Sequence, residues 1–195
     1  MSRETARDFG LGYCKKGRYA NRIILPYVCP NGSGFTARDI TGYSKQKYLN
    51  ASGVNRRSLF YGWREENIGG DIVLCEGPLD VLRLYEHGIA ALGLLGKTLS
   101  QGQYGLLMKF PINTAITVML DPETQLESLR IVKTLSNRFD DIYIASLPDG
   151  IDPGDSSLEQ AWDALNHSEK IGNPRLKISE KKMFHVKRRF SELNR

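Results

Sequence analysis

The chain has 195 residues, 41% of them hydrophobic and 25% charged, with 19 glycines and three cysteines. That length supports one ordinary domain or two compact modules, and the composition excludes disordered, collagen-like and disulfide-scaffold classes. No apolar run approaches the roughly 18–20 residues of a membrane span, and the N-terminus lacks the apolar stretch of a secretory signal. Cys14, Cys29 and Cys75 form no CxxC pair, which points to a reducing cytoplasm and leaves no zinc site.

The net charge of +5 hides a division. Residues 1–70 carry 12 Lys and Arg against 5 Asp and Glu, residues 71–174 carry 7 against 15, and residues 175–195 carry 8 against 2. A basic surface attracts polyanions. An acidic block either faces water or gathers carboxylates around cations.

In chain order, residues 1–70 hold glycines, aromatics and short β-type runs (RIILPYV, GFTARDI), with turns expected at 31–34 and 52–53. No helical period is visible between Arg18 and Tyr61, so this reads as a small mixed α+β module ending at Gly69-Gly70. The middle block then alternates. IVLC at 72–75 is a strand, and a helix follows over 78–87 with proline in its first turn. A second strand is expected over 91–95. Ser100 and Gln103 form a capping box that opens a helix to about residue 110. AITVML at 115–120 is the third strand. A helix over 122–138 is expected to bury Leu126, Leu129, Val132 and Leu135 on one face. IYIAS at 142–146 is the fourth strand, and after a turn-rich loop a last helix spans 158–166. Strands separated by helices of this length imply right-handed crossovers and a mostly parallel sheet flanked by helices. The organisation expected is therefore 1–70, 71–168 and a basic tail over 169–195, with a possible amphipathic helix from Lys181.

The carboxylates fall at strand ends. Glu76 follows the first strand, with Asp80 one helical turn later; Asp121 follows the third, with Glu123 two residues on; Asp149, Asp152 and Asp155 follow the fourth. Taken singly, Asp121-Pro122-Glu123 is better explained as a helix cap and 148–155 as a solvated loop, and Glu76-Gly77-Pro78 is equally well explained as a strand-to-helix turn. Together they lie at the carboxyl ends of a parallel sheet, where such folds bind ligands. Crowded hard oxygen donors favour Mg²⁺ or Mn²⁺, and with them phosphate chemistry. His87, His167 and His185 have no ligand-like spacing and read as surface or helix-end residues.

These residues carry a family resemblance. VLCEGPLDVLRLYEHGIAALGLLGKTLSQGQ resembles the first part of a Toprim domain as found in DnaG-type bacterial and phage primases, VMLDPE its D-x-D segment, and LPDGIDPGD its LP-x-G-x-DP loop. RIILPY, GFTARDI, KYLN and SLFYGW occur in the order of the basic N-terminal half of that catalytic core. The resemblance implies a Toprim-like α/β fold, Glu76 as metal ligand or general acid/base, and Asp121, Glu123, Asp152 and Asp155 as metal ligands. It places Arg38, Lys47, Asn50, Arg56, Arg57, Asp80 and Lys97 toward template or nucleotide. There are departures: Glu123 replaces an aspartate, Thr124 to Glu127 replace small residues, Asp155 is displaced by one position, and Lys97 stands at a small or hydroxylated position. The zinc-ribbon and helicase-binding modules of full-length primases have no counterpart in this sequence.

The resemblance implies a primase core that joins ribonucleotides on single-stranded DNA with Mg²⁺ or Mn²⁺, with NTPs as substrates. It implies a phage or bacterial cytoplasm, no membrane, and a helicase or zinc module supplied in trans. Tyr48, Phe60, Tyr61 and Trp63 are offered as base-stacking surfaces, with core packing the competing role. A metal-dependent Toprim nuclease and a non-catalytic accessory subunit are the rival classes. The KYLN-containing module speaks against the first, and carboxylates at three strand ends speak against the second.

Overall fold

A computed structural model describes residues 1–171; the expected helix from Lys181 and the other tail residues lie outside the described residues. The basic module opens with a short helix, α1 (Arg3–Asp8), that periodicity did not reveal. Its cap is legible only afterwards: the Ser2 hydroxyl accepts the Thr5 N–H at 3.0 Å. Four antiparallel strands follow in sequential order: β1 (Gly12–Cys14), β2 (Arg22–Cys29), β3 (Gly32–Asp39) and β4 (Tyr48–Asn50). Leu25, Tyr27 and Cys29 alternate inward along β2. Between Arg18 and Tyr61 the only helical turns are three-residue 3₁₀ segments, as the absence of helical period implies.

The second sheet has the order β6-β5-β7-β8-β9, built from β5 (Ile72–Cys75), β6 (Ala91–Gly93), β7 (Ile116–Val118), β8 (Ile142–Ile144) and β9 (Glu169–Lys170). The first four are mutually parallel, and β9, at the start of the stretch assigned to the tail, adds an antiparallel edge. β5 is buried at all four positions because two parallel neighbours and both helical layers cover it. The helices are α2 (Pro78–Glu86), α3 (Gln101–Leu107), α4 (Gln125–Leu135) and α5 (Leu158–Asn166). The Ser100–Gln103 capping box is present as read, and Ser157 and Gln160 make the same device on α5.

One sequence expectation is corrected here. α4 buries Ser128, Ile131, Val132 and Leu135, whereas Leu126 and Leu129 are 67% and 50% exposed. A run at constant spacing of three slips about 60° around the helix per step, so Leu126 stands on the side opposite Leu135. His87 is a helix-end residue, as read: it caps α2, is buried there, and its Nε2 lies 3.0 Å from the Ser156 carbonyl oxygen.

The two sheets are fastened to one another. Tyr61 exchanges backbone hydrogen bonds with Gly93 at 3.0 and 2.9 Å, extending the edge of the second sheet with a residue of the basic module. Gln103, 1% exposed, donates its amide to both the Leu59 and Leu94 carbonyls at 2.8 and 2.7 Å. Phe9 stacks on Tyr61 at 5.7 Å and meets Tyr85 edge-on at 5.0 Å, with Arg64 over both Phe9 and Tyr85. Gly62, at φ +79°, lies where a Cβ would stand 2.6 Å from Val81 Cγ1, so only glycine lets the chain cross so close to α2. One hydrophobic core runs from Leu25 through Phe60 and Tyr61 to the strands and helices of the second sheet.

Candidate active site

The acidic site is built where β5, β7 and the segment after β8 end. Glu76 leaves β5 half-buried. One of its oxygens, Oε1, lies 3.0 Å from the Thr124 hydroxyl and 3.4 Å from the Asp121 N–H, so it ties the end of β5 to the turn after β7. The Thr124 hydroxyl is also 2.7 Å from the Asp121 carbonyl oxygen; with a single proton it serves one acceptor at a time. Thr124 stood in the sequence only as a departure from small residues. Its role as the buried partner of Glu76 was not legible, since it depends on the 3₁₀ turn Pro122–Thr124 that folds it back.

Asp80 is buried at 8% exposure in the first turn of α2, where its Oδ2 accepts the Gly77 N–H at 2.7 Å. Asp152 accepts the Asp155 N–H at 2.8 Å, which closes the loop into a turn. Gly154 sits between the two carboxylates: a Cβ there would stand 2.9 Å from Asp80 Oδ1 and 3.3 Å from Asp152 Oδ1. Its carbonyl accepts Arg83 Nε at 3.1 Å, so α2 holds the loop against the sheet end; Arg83 was not singled out from the sequence.

The electrostatics show which carboxylates share a field. Burial, then Asp121, raises the Glu76 pKa. Burial, then Asp152 and Glu123, raises that of Asp121, with Lys97 and Lys47 opposing. Burial lifts Asp80 to about 7, with Asp121, Asp152 and Glu76 adding to it. Glu76, Asp80, Asp121, Glu123 and Asp152 thus lie within electrostatic reach of one another, with Lys47 and Lys97 acting on Asp121. Glu123 and Asp155 are exposed, and Asp155 enters the turn through its backbone.

From the basic module, Arg38 donates to the Tyr48 hydroxyl and lies 5.0 Å over its ring. Burial raises the Tyr48 pKa and Arg38 opposes the rise, while Asp80 and Asp152 add to it, so this pair lies on the side of the carboxylates. Asn50 is in β4, its carbonyl accepting from the Tyr19 hydroxyl. Arg56 donates to the Leu95 carbonyl at 3.2 Å. With Arg57 it lines an open cleft of about 790 Å³ between 54–58 and 94–103, and none of the carboxylates line that cleft. Of the four aromatic rings, Phe60 and Tyr61 are wholly buried, which is the core-packing role, while Tyr48 and Trp63 are part-exposed, Trp63 lying 6.4 Å from Phe60.

The donor set is oxygen-only, partly exposed and mutually repelling, which suits a hard divalent cation. Among the described residues, no group of three His, Cys, Asp or Glu side chains converges closely enough to hold a metal ion. Mg²⁺ characteristically takes one or two protein carboxylates and completes its shell with water and phosphate oxygens, an arrangement this spacing permits. No helix among the described residues is long and apolar enough to cross a membrane.

No family model matches the chain. It is 30% identical to the DNA primase of Clostridium acetobutylicum over 196 residues, an alignment covering 78% of this chain and 33% of that protein. The chain thus spans about a third of that relative's length. Its fold matches that of the Aquifex aeolicus primase fragment containing zinc-binding and RNA polymerase domains, with a TM-score of 0.73 at 23% identity, covering 88% of this chain and 54% of that one. The DnaG catalytic core matches with a TM-score of 0.72 at 20% identity, covering 87% and 70%. The chain resembles DnaG-type primases in sequence, and its described residues have the fold of their catalytic core.

Proposed function

We propose that this chain is the catalytic core of a DnaG-type primase that joins ribonucleotides on single-stranded DNA. The observation that carries the reading is the shared electrostatic field of Glu76, Asp121 and Asp152 beyond the strand ends, which also reaches Lys47 and Tyr48 of the basic hairpin. Asp121, Glu123 and Asp152 would hold divalent ions, with Glu76 as a further ligand or proton carrier. Bound there, such ions lower the pKa of a hydroxyl nucleophile and neutralise phosphate charge.

The chain's own residues do the rest. Thr124 fixes the Glu76 carboxylate through Oε1 and leaves its other oxygen free to work. Asp80 locks the Gly77 turn, so that the backbone after β5 cannot drift from the site. Lys97 and Lys47 offset carboxylate charge, and Arg38, Arg56 and Arg57 supply phosphate contacts that position without reading sequence. NTPs and a single-stranded template are the substrates, and a helicase or a zinc module would act in trans.

The test is synthesis by the purified chain on single-stranded template with labelled NTPs and Mg²⁺ or Mn²⁺, against Asp121→Asn. Metal-dependent oligonucleotides that vanish in the variant support the reading. Template degradation would instead make the site a nuclease, and binding with neither product, after addition of partners, would make the chain an accessory subunit.

A further inference from the structure

The connection between β3 and β4, residues 40–47, presents a ring that packing does not account for. Tyr43 is 93% exposed, the most exposed of the large hydrophobic residues described. Its loop is nevertheless held from several sides. Arg22, 5% exposed at the start of β2, sends its guanidinium to Ser44 Oγ at 2.7 Å and to the Gln46, Ala37 and Lys47 carbonyls at 2.9, 3.2 and 3.3 Å. The Asp39 carboxylate accepts the Thr41 hydroxyl at 3.0 Å and the Gly42 N–H at 2.8 Å, and Thr41 Oγ1 accepts the Tyr43 N–H at 3.3 Å. Removing a guanidinium from water costs free energy that hydrogen bonds must offset. Here those bonds are spent on fixing a loop whose tip is a bare aromatic ring.

The surroundings identify what fits the ring. Lys45 and Lys47 flank it and are exposed. The foot of the loop lies within electrostatic reach of the carboxylates, since Lys47 acts on Asp121 and Tyr48 feels Asp80 and Asp152. Tyr43 is four residues from Lys47, at most about 14 Å of extended chain. A ring beside lysines, next to Thr41, Gly42 and Ser44, lacks the apolar setting of a protein–protein hot spot, where lysine is depleted. It matches what single-stranded nucleic acid requires: a flat face for a base and cations for its phosphates.

We propose that Tyr43 is a base-stacking platform for single-stranded nucleic acid, fixed by Arg22 and flanked by Lys45 and Lys47. The assignment rests on the nucleic-acid reading above and adds to it the residue that grips the strand beyond the carboxylates.

Binding of a fluorescent oligothymidylate to the whole chain, followed by anisotropy across a salt series, tests it with Tyr43→Ala, Tyr43→Phe and Lys45→Ala. Tyr43→Ala is expected to weaken binding about 5- to 100-fold. Its salt slope should stay unchanged, because stacking releases no counterions. Tyr43→Phe should bind within about twofold of wild type, and Lys45→Ala should flatten the salt slope by about 0.7. An unchanged melting temperature verifies that Tyr43→Ala folds. Wild-type binding that Tyr43→Ala leaves intact overturns the assignment alone and makes a protein partner the better occupant. A wild-type chain that binds no oligonucleotide overturns this assignment together with the nucleic-acid reading.

Discussion

Asp80 is a carboxyl whose folded environment disfavours its charge, and replacing it with asparagine should make the protein more stable at neutral pH. Burial, with Asp121, Asp152 and Glu76 adding to it, lifts its pKa from 3.8 to about 7. Between those values the unfolded chain has released the proton and the folded chain still holds it. Stability therefore falls by about 1.4 kcal/mol per pH unit across the window, then levels above pH 7. The accumulated penalty is about 4 kcal/mol, a large part of the roughly 5–15 kcal/mol that holds a domain together. Asn keeps an oxygen to accept the Gly77 N–H and carries no charge. Asp80→Asn should then gain roughly 2–4 kcal/mol over wild type at pH 8 and nothing at pH 4. Urea unfolding at pH 4, 5, 6, 7 and 8 in the presence of a chelator measures both curves. Parallel curves across that range would refute the reasoning, because they would mean that the proton taken up on folding binds elsewhere.

Three further outcomes are expected. Gly62→Ala should cost about 2–4 kcal/mol by thermal melting, since its Cβ would meet Val81 Cγ1 at 2.6 Å and the Ala91 oxygen at 2.9 Å with φ at +79°. Phe9→Ala should cost about 3 kcal/mol, removing a ring that touches Tyr61, Tyr85 and Arg64, and should melt both sheets in one transition rather than releasing the N-terminus alone. Thr124→Val removes a hydrogen bond that favours ionised Glu76, so Glu76 should take its proton at higher pH. The acid limb of metal-dependent oligonucleotide synthesis should move upward with it, and a pH–rate profile identical to wild type would count against Glu76 in that role.

The parts of this fold that were readable are those fixed by local rules. The run at 72–75 is a strand because all four residues are apolar, and Ser100 opens α3 because its side chain and that of Gln103 satisfy each other's backbone. The carboxylates could be placed at strand ends because parallel topology decides where strand ends go. What stayed hidden depended on contacts between distant segments. Thr124 faces Glu76 across 48 positions of sequence. Arg22 looks like one base among many until the fold buries it under its own loop. Tyr61 and Phe60 carry rings like those of a nucleic-acid platform, and the junction between the sheets claims them. Leu126 failed for a geometric reason, an arithmetic run of three that spirals off the helix face.

Gln103 has a consequence for motion. A buried amide that bonds the Leu59 carbonyl of the basic module and the Leu94 carbonyl just beyond β6 cannot let the two parts separate without leaving three buried polar groups unpaired. The basic module and the acidic sheet are held together at this contact. On the reading proposed above, a template strand would move past a protein that does not part at this contact. The backbone amides on either side of that contact should accordingly exchange only through global unfolding, at a single shared rate.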